Sequence, residues 1–510
     1  MRAARLSRRM MIPYRWPTSS TKHAQPWENP NIPSGYTYFL QFVAHDCIHS
    51  SVPTSALSAH VEPARNRRSN PLTLETLYGG GFDGCLNAIG EDEQQEAARS
   101  KLPLGQIRQK SVTTARCPFR DISRAASAQT SGRNTALQKV LIPDDRNDNN
   151  VFVSQTTVLF SIFHNTIVDL IRQHRSHRQS MQNVHAYLAR LFVDAQKLTM
   201  TTYRAIIRDD LMRRILHPLV YSHYASDRPQ FISDGGDDHV PLEFAQALRF
   251  GHAMVRPHYR VNDVLDRREE LLDVLLTTSR GRPWRLPLDE SWAVQWSKFF
   301  ELGVEFPNWS RRIGPSFSVD LMSNLVFDTI DETNCVGLIY RDILNSALAP
   351  GWSLPALVSE LQHRAPQLVR SSRLLMDVEF RHQLLRSWLE ESRQLSGLTD
   401  GDIQEISQDP PLLLFILFEA AYEMQGAQLG ILGSILIGDV IFRLLVSDNQ
   451  QQAAAAAEYL STARRMHCSG ESSLFNDRIA RKLGCVRNMS GFVQFIHEFG
   501  SVDDSAIPFV

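Results

Sequence analysis

The sequence has little cysteine: six residues in 510, at positions 47, 85, 117, 335, 468 and 485, with no Cys-x-x-Cys pair. That spacing supports neither a zinc site nor a dithiol redox motif, and it reads as the cysteine usage of a reducing compartment. Charge of either sign is not in excess, with 54 basic against 55 acidic residues. The chain therefore offers no general attraction to nucleic acid or to an anionic membrane. Gly79-Gly80-Gly81 is not followed by the Gly-Lys-Ser/Thr of a phosphate loop, and neither Gly-x-Ser-x-Gly nor His-Glu-x-x-His occurs. These absences exclude the usual phosphate-loop, serine-elbow and zincin chemistries. The first ten residues are basic but lack the apolar core of a secretory signal, so a disordered basic tail is expected, with organelle targeting as the other reading. The most apolar region, 411–446, is interrupted by Glu419, Glu423, Asp439 and Arg443. It reads as a buried helix pair, because a membrane span needs roughly 20 uncharged residues in a row.

What is present describes a large globular chain, 43% hydrophobic and 21% charged. Strand signals are few. Val158, Leu159, Ile162, Phe163, Ile167, Leu170 and Ile171 recur at helical spacing and predict a helix over 154–173. Residues 184–199, 241–254 and 412–424 also read as helices. A shorter one is expected over 355–363, with Ser353 as its cap and Pro355 in a first turn that needs no N–H. Residues 125–150 and 224–238 read as long polar loops, and 450–457 is low in complexity but helix-favouring. The expected architecture is mainly α, a large single helical domain with few short strands. Its parts would be a basic N-terminal tail (1–28), a central domain (29–450) and a C-terminal helical extension packed on it (451–510).

The chemistry concentrates in three places. Asn29-Pro-Asn-Ile-Pro-Ser-Gly-Tyr-Thr-Tyr-Phe-Leu-Gln-Phe-Val-Ala-His45-Asp46 opens with turn residues and runs into an apolar helix. Gln41 lies four residues before His45, so the amide and the imidazole project to one side. A second histidine lies in Arg249-Phe-Gly-His252-Ala-Met-Val-Arg-Pro, and an arginine in Asp145-Arg146-Asn147-Asp148-Asn149. Two imidazoles and a guanidinium are the set a peroxide-activating haem site needs. One neutral imidazole binds iron, a second takes the proton of peroxide, and a cation pulls on the departing oxygen.

The first stretch resembles the distal-histidine signature of the animal-type haem peroxidases (the peroxidase–cyclooxygenase superfamily), particularly their bacterial members. Four further stretches look like the same family and occur in its order. They are Asp145-Arg-Asn-Asp-Asn with Phe163-His-Asn, the Arg249 to Pro257 run, Tyr340-Arg-Asp-Ile-Leu ahead of Leu354-Pro355, and Thr399-Asp-Gly-Asp-Ile with Asp409-Pro-Pro. The resemblance implies a catalytic set of His45 as distal acid–base group, Gln41 as distal amide and Arg146 as distal arginine. It makes His252 the haem iron ligand and Arg249 the partner of a haem propionate. Hydrogen peroxide would convert ferric haem to a ferryl species that oxidises an organic (phenolic or metabolite) or halide donor. A specialised oxidative tailoring enzyme, coupling or oxygenating a metabolite, and a degenerate haem-binding member without turnover are the alternatives.

Departures from the family pattern sharpen these expectations. Ala44 and Asn149 stand where members that bond haem covalently carry Asp and Glu, which implies non-covalent haem b. Asp342 takes the place of the Asn that accepts the proximal imidazole N–H. A carboxylate there would lend the ligand imidazolate character and lower the reduction potential. The family's calcium would draw on Asp46 and on the loop carrying Ser69, Thr73 and Glu75, with Thr73 where a carboxylate is usual. Fatty-acid oxygenases of the superfamily have a tyrosine just before the proximal histidine. Leu248, Arg249 and Phe250 hold those places here, which disfavours that activity. Cys47 reads as a small buried apolar residue. The implied partners are hydrogen peroxide and a small reducing substrate, without nucleic acid or a transmembrane segment, in a soluble, cytoplasmic protein.

Overall fold

The computed structural model describes residues 1–16, 25–50, 66–79, 100–108, 120–125, 139–175, 184–226, 229–232, 240–263, 268–303, 305–328, 335–348, 351–447, 474–475, 477–500 and 509–510. The main helices, in chain order, are α1 (Arg2–Met11), α2 (Gly35–Cys47), α3 (Val151–Arg175), α4 (Val184–Ile206) and α5 (Leu242–Ala247). They continue with α6 (Leu338–Leu348), α7 (Leu354–Arg364), α8 (Val378–Glu390), α9 (Asp400–Gln408), α10 (Leu412–Met424), α11 (Ile431–Ser447), α12 (Asp477–Gly484) and α13 (Met489–Phe499). Strands among the described residues form antiparallel pairs of short segments, such as Glu28–Pro33 with Trp309–Arg311 and His258–Arg260 with Arg268–Glu270. The mainly helical expectation holds.

The apolar spacing over 154–173 becomes α3, whose Val158, Leu159, Phe160, Phe163, Ile167 and Ile171 are all buried. It packs on α4 and on α2. By length and composition α3 could cross a bilayer, but most of its apolar window lies inside the molecule. Phe160 stacks on Phe39 and Phe42 of α2, with ring centroids 5.8 and 5.1 Å apart. On its other side Phe492 of α13 lies 4.7 Å from Phe160 and 4.4 Å from Phe163. The C-terminal helix thus closes the aromatic wall behind α2.

The 411–446 region is a buried helix pair, α10 and α11. Its charges have local work: the Glu419 carboxylate accepts the Leu432 and Gly433 N–H groups at 2.8 and 3.1 Å, satisfying donors left open at the start of α11. Ser353 caps α7 as expected, its hydroxyl accepting from the Ala356 N–H. The 241–254 segment changes character midway, from α5 to a 3-10 stretch, Leu248–Met254.

The N-terminal tail differs from expectation. Residues 2–11 of it are helix, with Ala4, Leu6 and Met10 buried. Its basic residues have acceptors that lie far away in sequence: Arg5 grips Asp402 of α9 through two bonds of 2.7 and 3.0 Å, and the buried Arg9 stacks 3.9 Å over Trp388. The run 450–457, Cys85, Cys117 and Cys468, and much of the loops 125–150 and 224–238, lie outside the described residues.

Phe492→Ala should cost about 3–5 kcal/mol, the usual range for truncating a buried aromatic. Urea unfolding monitored by circular dichroism checks it.

Candidate active site

His45 lies in the last turn of α2, and its Nδ1 lies 2.8 Å from Asn147 Oδ1. Asn147 belongs to the 3-10 turn Asp145–Asp148, which Asp144 caps by accepting the Arg146 N–H. Among the described residues, Nε2 of His45 has no hydrogen-bond partner. Burial, and after it the Arg146 charge, pull the imidazole down from its ordinary 6.5 to about 4. At neutral pH the ring is therefore uncharged and able to accept a proton.

Arg146 is mostly committed elsewhere. Its Nε and Nη2 donate to the two oxygens of Asp144 at 2.9 and 2.6 Å, while Nη1 and Nη2 donate to the carbonyls of Ile48 and His45 at 2.7 and 2.8 Å. Arg68 donates to the same His45 carbonyl at 2.8 Å and pairs with Asp144. Of the five guanidinium N–H donors on Arg146, four are used. This arginine clamps the C-terminal end of α2, whose carbonyls have no partner within the helix. Its influence on His45 is the proximity of its charge. Gln41 Oε1 accepts from Asn150 Nδ2 at 2.9 Å, and among the described residues its own NH2 has no acceptor.

The expected calcium set does not assemble. Asp46 is fully buried, and its carboxylate accepts the N–H groups of Leu74 and Thr76 at 2.9 and 3.0 Å and the Tyr203 hydroxyl at 3.3 Å. Amide hydrogens occupy the space where a hard cation would need oxygens. Glu75 is turned outward to the Asn70 N–H and toward Arg68. Ser69 adds no ligand, and no acidic cluster able to hold a metal occurs among the described residues. The 69–76 loop is tied to α2 by hydrogen bonds instead. Cys47, next to Asp46, is fully buried, and burial pushes its thiol well up, as expected of a packing residue.

On the other side, His252 sits in the 3-10 stretch with its Nδ1 2.6 Å from Asp342 Oδ2 of α6. Arg249 Nη1 donates to the other carboxylate oxygen at 3.3 Å. Asp342 is buried, whereas the His252 side chain is about one-third exposed (34%), with Nε2 free of partners among the described residues. A Cβ on Gly251 would lie 3.1 Å from Leu40, so the two histidine-bearing segments pack directly together. The other matched stretches do structural work. His164 bonds Tyr78 and the Ser100 carbonyl, Thr399 and Asp402 form a capping box, and Asp409 accepts the Leu354 N–H at the start of α7.

Sequence reasoning missed Asn147, Thr76, Asp144 and Arg68 as parts of this site. Asn147 lay inside a quoted motif, but nothing in its spacing reveals that it meets an imidazole 102 positions away.

A buried neutral imidazole and a carboxylate-backed imidazole therefore lie on touching segments of a helical protein. Residues 90–297 match the animal haem peroxidase family, a span that includes Arg146, Arg249 and His252 but begins after His45 and stops before Asp342. Among solved structures, Peroxidase A from Dictyostelium discoideum is similar at 12% identity and a TM-score of 0.51, covering 98% of this chain and 89% of that one. Fatty acid alpha-dioxygenase from Arabidopsis thaliana is similar at 11% identity and a TM-score of 0.55, covering 99% and 77%. The Oryza sativa enzyme of the same description gives 10%, 0.52, 99% and 81%. No curated protein sequence matches. Residues 90–297 are thus similar to the animal haem peroxidases, and the fold is shared with Peroxidase A and the fatty acid alpha-dioxygenases.

Two measurements test the electrostatics. The His45 ring should titrate near pH 4 rather than 6.5 when followed by NMR. Because its folded value is depressed, its contribution to stability is present above 6.5 and lost as pH falls toward 4. His45→Gln should therefore gain up to roughly 3 kcal/mol relative to wild type between pH 7 and pH 4. With haem ligated by His252, Asp342→Asn should raise its reduction potential in spectroelectrochemical titration, and Asp342→Ala should weaken haem retention about 10- to 100-fold.

Proposed function

We propose that this protein is a haem peroxidase that binds haem b non-covalently and uses hydrogen peroxide to oxidise a small organic or halide donor. The observation that carries the reading is the His252–Asp342 pair. A carboxylate 2.6 Å from Nδ1 holds the proton there and leaves Nε2 bare to ligate iron, the arrangement that makes an imidazole a strong and well-oriented ligand. The donor set fits haem: one unspent imidazole nitrogen, a nearby Arg249 with N–H groups left for a propionate, and a second neutral imidazole on a segment packed against the first. Haem, when bound, supplies the redox chemistry.

The chain's own residues supply positioning and proton transfer. His45 Nε2 accepts the proton of peroxide and returns it to the departing oxygen. A ring with its proton affinity lowered, as His45 has, gives that proton back readily. Gln41 offers its free NH2 to peroxide or to an ordering water. Arg146 keeps a positive charge beside His45 that favours negative charge developing on the departing oxygen. Ala44 and Asn149 have no carboxylate with which to form an ester, so the haem is held by ligation and packing alone. The oxygenase reading raised by the fatty acid alpha-dioxygenases of like fold is not adopted. The residue three before His252 is Arg249, and it is engaged with Asp342.

His252→Ala should abolish stoichiometric haem binding. His45→Leu should keep the haem and slow its reaction with peroxide by roughly 10²–10⁴-fold, the usual worth of a general acid–base group. Stopped-flow absorbance of the haem band reads both, and return of the band on adding a phenolic donor completes the cycle. Extraction into acidified organic solvent should remove all the haem. Haem left on the polypeptide, or a haem band indifferent to peroxide, would overturn the proposal.

A further inference from the structure

We propose that Asn147 is a positioning residue that fixes the ring tautomer of His45, with Thr76 and Asp144 ordering it from behind. The chain of donors runs in one direction. Asp144 lies between Arg68 and Arg146, and an ionised carboxylate only accepts. Burial alone would raise its pKa, but the hydrogen bond and charge of Arg146 outweigh this and hold it at about 2, so it is ionised throughout the working range. Thr76 Oγ1 is 3.3 Å from Asp144 Oδ2, which takes the hydroxyl proton. The Thr76 oxygen is then left to accept, and Asn147 Nδ2 donates to it at 3.0 Å. That turns the Asn147 carbonyl oxygen toward His45 Nδ1. A carbonyl oxygen cannot donate, so Nδ1 carries the ring proton and Nε2 presents a bare lone pair.

All the members are buried, so water does not compete for these bonds: Thr76 and Asn147 are 0% exposed, Asp144 2% and His45 9%. Reversing the amide would set Nδ2 against a ring nitrogen that must then be unprotonated. It would also aim the carbonyl oxygen at Thr76, whose proton is already claimed by the carboxylate. The relay therefore selects one of the two neutral rings, the one that can accept at Nε2. Its consequence for catalysis rests on the function proposed above, but the tautomer is a property of this chain alone.

The test uses protein labelled with 15N-histidine, in the diamagnetic ferrous–carbonyl form, or as isolated if no haem is taken up. Wild type should show His45 with a protonated Nδ1 and an unprotonated Nε2. Thr76→Val removes the acceptor for Nδ2 at nearly constant shape and should mix the two tautomers, and Thr76→Ser should restore one. In the haem-loaded protein, Thr76→Val should slow the reaction with peroxide by about 10- to 100-fold, the scale of losing an orienting partner of a ligand imidazole. Asn147→Asp keeps an acceptor, so it should preserve the tautomer while raising the pH at which His45 titrates. A protonated Nε2 in wild type would overturn the proposal, as would a Thr76→Val protein with an unaltered tautomer. Should Thr76→Val not fold, an Asn147→Asp protein with an unshifted His45 titration would overturn it equally. The assigned tautomer found in a chain that ignores haem and peroxide would sink the proposed function and leave this inference standing.

Discussion

One buried carboxylate organises the distal half of the molecule. Asp144 is almost sealed from solvent, and two guanidinium groups, Arg68 and Arg146, meet on it. Each also donates to the carbonyl of His45. The last turn of α2 is thereby fixed by charge-assisted bonds from two loops remote in sequence. Such a network repays its desolvation only when complete, and removing one member of a buried pair typically costs about 3–5 kcal/mol. The position of His45 depends on it, and so does its chemistry. Arg146 is the main charge that depresses the His45 pKa, while Asp144 partly restores it.

Much of the scaffold was legible because it is written in local periodicity. The apolar recurrence of α3, the apolar run that opens α10 and the Ser353 cap need only neighbouring residues to be read. The proximal geometry was also legible, since the Asp342 position in its motif predicts the carboxylate that meets His252. The α1 helix was not. A run rich in arginine reads as a solvated tail until Asp402 and Trp388, hundreds of positions later, supply its partners. Arg146 shows the opposite failure. Its motif position suggests a group aimed at substrate, whereas tertiary contacts with the end of α2 consume most of its donors. Thr76 and Asn147 carry no pattern at all, because their importance lies in who donates to whom after folding.

The loop 69–76 is joined to α2 by hydrogen bonds to Asp46. A divalent ion would join Asp46 to this loop by sharing oxygens. Here the loop's backbone turns through left-handed residues at Leu72 and Leu74, with φ of 61° and 60°, and Asp46 accepts the N–H groups of Leu74 and Thr76. The carboxylate is satisfied by neutral donors, and burial accordingly lifts its pKa to about 6 despite them. The same turn delivers Thr76 to Asn147. An anchoring function and an orienting function therefore share one short loop.

The two histidines differ most in what stands behind them, and that difference underlies the roles proposed for them. Behind His252 is a carboxylate, which increases electron density on the ring and would make Nε2 a strong donor to the iron proposed for it. Arg249 shares that carboxylate and moderates the effect, so the ligand is held short of full imidazolate character. Behind His45 is a neutral amide, with two arginines close by that penalise any positive charge on the ring. A ring so placed is a weak base and a poor partner for a cation, yet it is free to pass a proton between two oxygens of one small molecule. Exchanging the supports would exchange the proposed tasks: a carboxylate at 147 would trap the proton on His45, and an amide at 342 would weaken His252 as a metal ligand. The proposed division of labour between ligand and proton carrier thus follows from the charge on the residue that each Nδ1 touches.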